Sequence, residues 1–347
     1  YMIRRTLLAA PTLLLVGCYL LLGGCTPTTQ EFTRAVIEGK TMGTYYKVVL
    51  SVEEGREIGP SLKEGIDAVL EKVNDQMSTY RKESELSRFN RSQSTEWITV
   101  SEDLVDVADA AAKISELSHG AFDVTVGPLV NLWGFGPVKK KDFIPSDQEI
   151  EEAKKRVGYQ QLSTRKVDPA LRKSSPGLYV DLSAIAKGFG VDKVGELLES
   201  EGFNHYLVDI GGDMKAVGSN PDGQGWRIGI ERPDAEGREI EKLIEVKNFG
   251  VATSGDYRNY FERDGQRYSH TINSVTGRPI THRLASVTVV APTATEADGM
   301  ATAIMALGPE QGLKLAKEQG LGVFLLVREG EGFSESMSPG FEQFQAE

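Results

Sequence analysis

The chain has little cysteine and little histidine: two cysteines and four histidines in 347 residues. Cys18 lies in an N-terminal segment expected to be removed, which leaves Cys25 as the one cysteine of the mature chain. An intramolecular disulfide and a thiolate metal cage are thereby excluded. The histidines, His119, His205, His270 and His282, do not have zinc-ligand spacing. No Walker A loop, HExxH or GxSxG occurs. Gly188-Phe189-Gly190 is a fragment of a dinucleotide fingerprint without its third glycine. Positive charge is also short: 39 Lys and Arg face 50 Asp and Glu, for a net charge of -11. That balance argues against nucleic acid as a partner, since phosphate-backbone binding needs a basic surface. Internal repeats, low-complexity tracts and a clean linker after residue 34 are missing too. What is present, 40% hydrophobic and 26% charged residues, suits a globular body with a sizeable core.

The start of the chain sets an expected address. Arg4 and Arg5 precede an apolar run from Leu7 to Leu22, which ends in Leu22-Gly23-Gly24-Cys25. This reads as a secretory signal, too short with these flanks for a permanent membrane span. Small residues before a cysteine resemble the bacterial lipobox, against the alternative of an ordinary signal with a chance cysteine. The resemblance implies cleavage before Cys25 and lipidation of its thiol. Residues 1–24 are then a signal peptide, 25–33 a lipidated tether and 34–347 the folded domain. The expected location is the bacterial cell envelope, anchored by lipid and facing the periplasm.

The body of the chain reads as α+β, one compact domain with two lobes, mixed or antiparallel sheets and packed helices. Arg34 to Ser51 alternates as a strand interrupted at Met42-Gly43-Thr44. Gly59 and Pro60 open a helix with Leu62, Ile66, Val69, Leu70, Val73 and Met77 on one face. Ser78 to Ser92 reads as a polar loop with one helical turn. Ser101 caps a helix that stops at Gly120, and Ser146 with Glu149 forms a capping box. Strands are expected over Phe122–Gly127, Leu178–Leu182, His205–Val217 (broken at Gly211-Gly212-Asp213), Trp226–Glu231, Ile240–Ala252 and Leu284–Ala291. Asp264-Gly265 reads as a hairpin turn. Pro309 starts a last helix, and Gly322–Arg328 is a last strand.

Thr293 to Leu307 is the stretch around which the rest is arranged. Thr293 caps it, with Glu296 at capping-box spacing, and Gly308-Pro309 ends it. Its small apolar residues indicate a helix packed on most sides. Asp298 and Thr302 are one turn apart, so both oxygens share a face and can reach one hard cation. On spacing alone the plainer account holds, in which Asp298 favours the helix N-terminus and Thr302 only packs.

Several segments combine polar residues with glycine at strand ends, where backbone approaches a ligand closely. In order they are Met42-Gly43-Thr44, DVTVGPLVNLWGFG at 123–136, DLSAIAKGFG at 181–190, DIGGD at 209–213, SGDYR at 254–258 and SHTINSVTGRP at 269–279. With ADGMATA in the Thr293 stretch, this ordered set resembles the ApbE family of FAD:protein FMN transferases from about Met42 to the last strand. One departure stands out. The family run after the histidine is usually H-x-I-D-P-x-T-G, and here Asn273 and Ser274 replace Asp and Pro. A looser turn after His270 is expected, because serine lacks proline's fixed φ.

The resemblance implies transfer of FMN from FAD to a threonine or serine hydroxyl of a target protein, with AMP leaving. It implies Mg²⁺ as cofactor and FAD as substrate, with Asp298, Thr302 and the main-chain carbonyl of Ala184 as metal ligands. His270 would be the general base and Lys187 would balance phosphate charge. Met42, Gly43 and Thr44 would line the adenosine end. Asp181, Asp209, Gly211, Gly212 and Asp213 would line the cleft, with Ser254, Gly255 and Asp256 near the phosphates. Ser84, Ser87 and Asn90 would close over the nucleotide. Trp133 and Phe135 fit the core better than the flavin. Implied partners are flavin-bearing subunits of membrane redox complexes, and the membrane itself through the lipid anchor. Two other readings stay open: an FAD pyrophosphatase giving FMN and AMP, and a non-catalytic FAD carrier.

Overall fold

Eight antiparallel strands form the central sheet of the computed structural model, which describes residues 31–136, 143–233, 239–256, 260–263 and 266–346. In spatial order they are Phe32–Thr41, Thr44–Glu53, Tyr206–Ile210, Asp213–Val217, Phe249–Gly255, Leu284–Ala291, Gly322–Glu329 and Gly332–Met337. The first two are joined by Met42-Gly43, both with positive φ (48° and 73°), the twist that a two-residue hairpin demands. Gly211-Gly212 joins the next pair in the same way, at φ 59° and 100°.

Helices cover one face of this sheet, principally Pro60–Met77, Glu102–Leu117, Ala186–Ser200, Ala294–Leu307 and Pro309–Gln319. The other face is covered by a two-stranded ribbon, Trp226–Glu231 with Ile240–Val246, and by a 3-10 turn over Pro339–Phe344. Leu284–Ala291 is therefore buried at every residue, because both of its faces are covered. The Ala294–Leu307 helix follows that strand directly and packs against the sheet and three other helices. The fold is α+β, with the Asp298 helix in its main core.

Several expected elements take a different form. Phe122–Gly127 is not a strand but a turn, because Asp123 Oδ1 accepts from Thr125 N (2.8 Å) and Thr125 Oγ1 (2.6 Å). Such a local side-chain bond competes with a ladder. Gly127–Leu132 is a short helix, and Leu178–Leu182 is extended without ladder partners. Ile240–Ala252 is two strands, split at Asn248, whose φ is 64°. The first strand begins at Phe32, inside the stretch read as a tether. The strands Tyr260–Arg263 and Gln266–Ser269 do pair, but their turn at Asp264-Gly265 lies outside the described residues, as does Cys25 with the whole leader.

Candidate active site

The site begins with one helix packed against another. Thr293 caps the Ala294–Leu307 helix through Glu296 N at 3.1 Å. Asp192, on the neighbouring Ala186–Ser200 helix, accepts from Ala294 N (3.1 Å), Thr295 N (2.8 Å) and Thr295 Oγ1 (2.6 Å). A carboxylate here satisfies donors that a helix start leaves open and complements its dipole. Gly188 lets the two helices touch: a Cβ there would stand 2.2 Å from Ala294 O. Gly188 N in turn donates to Asp298 Oδ2 at 3.0 Å.

Asp298 is thereby held in a buried position facing a second acid. Lys187 Nζ makes an ion pair with Asp213 and lies 3.7 Å from Asp298 Oδ1. Asp213 and Asp298 are 2% and 6% exposed. Two buried carboxylates thus share one ammonium. Burial lifts Asp298 far above the usual carboxylate range, to about 8, and the Asp213 charge adds to it. Asp213 is raised by the same burial, partly offset by Lys187. Burial alone would lower Lys187, but Asp298 and Asp213 outweigh it and hold the ammonium firmly protonated.

Two cavities meet at Lys187 and Ser183. The first, about 470 Å³, is lined by Phe122, Val126, Val130 and Ile272 together with Asp181, Ala184, Ser254, Gly255, His270, Asp298 and Thr302. The second, about 590 Å³, is lined by Met42, Gly43, Val73, Asn74, Met77, Tyr80 and Arg81, again with Ser183 and Lys187. Lys187, the centre of the charged trio, therefore sits between two pockets with apolar walls. A larger but more open hollow of about 900 Å³ adjoins the second through Met42, Gly43, Asn74 and Arg81 and holds none of the trio.

Other expected site residues take supporting places. Ser84 and Ser87 line neither cavity; both are buried, and their hydroxyls donate to Ser78 O at 2.6 and 3.3 Å. Asn90 pairs with the Val180 main chain at 2.8 and 2.9 Å. All three fix cavity-bearing loops from behind. Asp209 holds the glycine turn through Gly212 N at 2.8 Å, and Thr44, Gly211 and Gly212 line a separate hollow of about 180 Å³. Asp256 lies off the two cavities, held by both Arg328 Nη atoms at 3.1 and 2.6 Å. Trp133 is buried and donates to Gly277 O at 2.9 Å, a core residue as expected. Phe135 stands edge-on to His270, with 6.5 Å between ring centres.

The sequence reading missed Asp192, Tyr80 and Arg81. Asp192 lies mid-helix, where nothing local marks it as another helix's cap. Arg81, in the polar loop, is fastened by Glu71 (2.7 Å) and Asp75 (2.6 Å) of the preceding helix.

Among the described residues, no three His, Cys, Asp or Glu side chains cluster to hold a metal alone. Thr302, a hydroxyl, and Ala184, with its main-chain carbonyl, line the same cavity as Asp298. All are hard oxygens, and once Asp298 ionises the two acids exceed Lys187 by one negative charge, which fits a small divalent cation completed by ligand oxygens.

Known proteins resemble this chain in sequence and in fold. The profile of the ApbE family matches residues 42–325. A Vibrio cholerae protein called FAD:protein FMN transferase is 45% identical over 332 residues, covering 96% of this chain and 98% of its own. An Escherichia coli K12 protein of the same name is 41% identical, covering 98% and 97%. The solved structure of the flavin transferase ApbE from V. cholerae superposes with a TM-score of 0.82 at 44% identity, over 90% of this chain and 99% of that one. The apo flavinyl transferase ApbE of Pseudomonas stutzeri gives 0.83 at 40% identity, over 91% and 98%. With a profile match over most of its length and full-length relatives above 40% identity, the chain belongs to the ApbE family.

Proposed function

We propose that this chain transfers FMN from FAD to a threonine or serine hydroxyl of a protein acceptor, with AMP as leaving group. The observation that carries the reading is the pair of cavities meeting at Lys187. FAD has the matching form: two flat, weakly polar ends joined by a doubly charged pyrophosphate. The riboflavin end belongs in the cavity with His270 and Ile272, and the adenosine end in the one with Met42 and Tyr80. Lys187, kept protonated by its two acids, opposes the pyrophosphate charge between them.

His270 lines the riboflavin-side cavity and is the base that takes the acceptor's proton. The acceptor oxygen forms its bond to the riboflavin-side phosphorus as the bond to AMP breaks. Phe135 packs edge-on against the imidazole. Asp298, Thr302 and the Ala184 carbonyl would hold Mg²⁺, which when bound supplies charge neutralisation at the pyrophosphate. Lipidation at Cys25 would keep the enzyme at the periplasmic face of the envelope, within reach of flavin-bearing subunits of membrane redox complexes. That part rests on the sequence of the leader and on the family resemblance.

The test is a denaturing gel of an acceptor domain incubated with the chain from Thr26, FAD and Mg²⁺. Flavin fluorescence should appear on the acceptor and vanish with EDTA. FMN and AMP free in solution without a labelled acceptor would favour the hydrolase, and intact FAD across several acceptors would favour a carrier.

A further inference from the structure

The segment after His270 is clipped to the end of the Asp298 helix. Asn273 Nδ2 donates to Ala306 O at 3.2 Å, and His282 Nε2 pairs with Met305 O at 2.9 Å. These carbonyls lie in the last turn of the helix, where intrahelical donors run out. The other oxygen of the Asn273 amide works locally: Oδ1 accepts from Val275 N (3.0 Å) and Thr276 N (3.3 Å), while Asn273 O accepts from Gly277 N (2.9 Å). Ser274 is buried and its hydroxyl bonds to Gly120 O. The turn expected to be loose is therefore pinned at two points outside itself, Ala306 O and Gly120 O.

We infer that Asn273 is a positioning residue. It ties the loop bearing His270 to the helix bearing Asp298 and Thr302, so that base and cation ligands move as one body. The donor to Ala306 O is specific to the amide, because an ionised aspartate has no hydrogen to give and would face a carbonyl oxygen. Asn273 and Ser274 thus supply by hydrogen bonds the rigidity that proline's fixed φ supplies in the usual family run. Ser274 occupies the second position of the turn, directly after the extended Asn273, which is where proline fits.

The inference rests on the transferase reading, so its test has one readout that does not need turnover. Asn273→Asp keeps both acceptor bonds of the turn, removes the clip and sets a carboxylate oxygen against Ala306 O. In the full chain, amide hydrogen exchange over residues 270–279 should quicken. The kcat for acceptor labelling should fall on the order of ten- to a hundredfold, the scale of a sub-ångström to ångström misplacement. KM for FAD and the melting temperature should stay near wild type. Adding Ser274→Pro to Asn273→Asp should restore slow exchange and most of kcat. Wild-type exchange in Asn273→Asp overturns the clip even if no acceptor is ever labelled. Quickened exchange with unchanged kcat overturns the positioning role, and a double variant as impaired as the single overturns the equivalence with proline. A wild-type chain that labels nothing while exchange responds as expected would count against the transferase reading, not the clip.

Discussion

Asp298 does its work because three constraints meet on one side chain: burial, a facing carboxylate and an ammonium that must serve two acids. Replacing it with alanine removes the one charged oxygen among the candidate cation donors. Asp298→Ala should lower acceptor labelling by at least about a hundredfold, the equivalent of several kcal/mol of charge stabilisation. Calorimetry should show Mg²⁺ binding lost, while FAD binding is weakened or kept; full transfer by this variant in chelator would remove the assignment. The same residue sets a pH dependence. An ordinary aspartate titrates near 3.8, and Asp298 near 8 in the folded chain. Between those values the folded state keeps a proton that the unfolded chain has released, so metal-free stability falls as pH rises through this window. Mg²⁺ competes with that proton, so the rise in melting temperature on adding it should grow from about pH 5 to pH 8. Thermal melts with and without the ion check this, and a constant increment would contradict it. At this scale the sequence was half legible. Asp298 and Thr302 share a face because they lie one turn apart. Lys187 and Asp213, 26 residues apart, meet only through the packing of helix on sheet, which no local pattern encodes.

The Ala294–Leu307 helix is placed by what its neighbours lack as much as by what they offer. Gly250 lies under its start, where a Cβ would meet Thr293 C and Ala294 N at 2.4 Å, and Gly188 beside it, where a Cβ would meet Ala294 O. Gly188→Ala should force the two helices apart at an overpacking cost of about 1–3 kcal/mol and weaken Mg²⁺ binding with it. Asp192→Ala removes a cap of three hydrogen bonds and should cost about 1–2 kcal/mol, seen as an earlier denaturant midpoint at unchanged slope. Helix ends were legible where the chemistry is local, with Thr293, Ser101 and Ser146 as caps, whereas Met42-Gly43 and Gly211-Gly212, read as breaks within single strands, are hairpin turns between two. Phe122–Gly127 misled because its apolar-polar alternation mimics a strand while Asp123 bonds its own main chain. Leu178–Leu182 is buried like a strand at alternate residues yet pairs with none.

For the whole molecule, one sheet covered on both faces turns two cavities toward a common charged seam. The helix layer supplies Asp298, Thr302, Lys187, Met42's neighbours Asn74 and Met77, and the loop with Tyr80. The sheet supplies Asp213, Ser254 and Gly255. FAD is expected to span both cavities with its pyrophosphate at that seam. A crystal structure of the complex with FAD and Mg²⁺ tests this most directly. The account predicts the pyrophosphate between Lys187 and Asp298, the isoalloxazine beside Val126 and Ile272, and the adenosine between Met42 and Tyr80. FAD bound in the open hollow along Lys40 and Lys63, with the Lys187 seam free of phosphate, would contradict it.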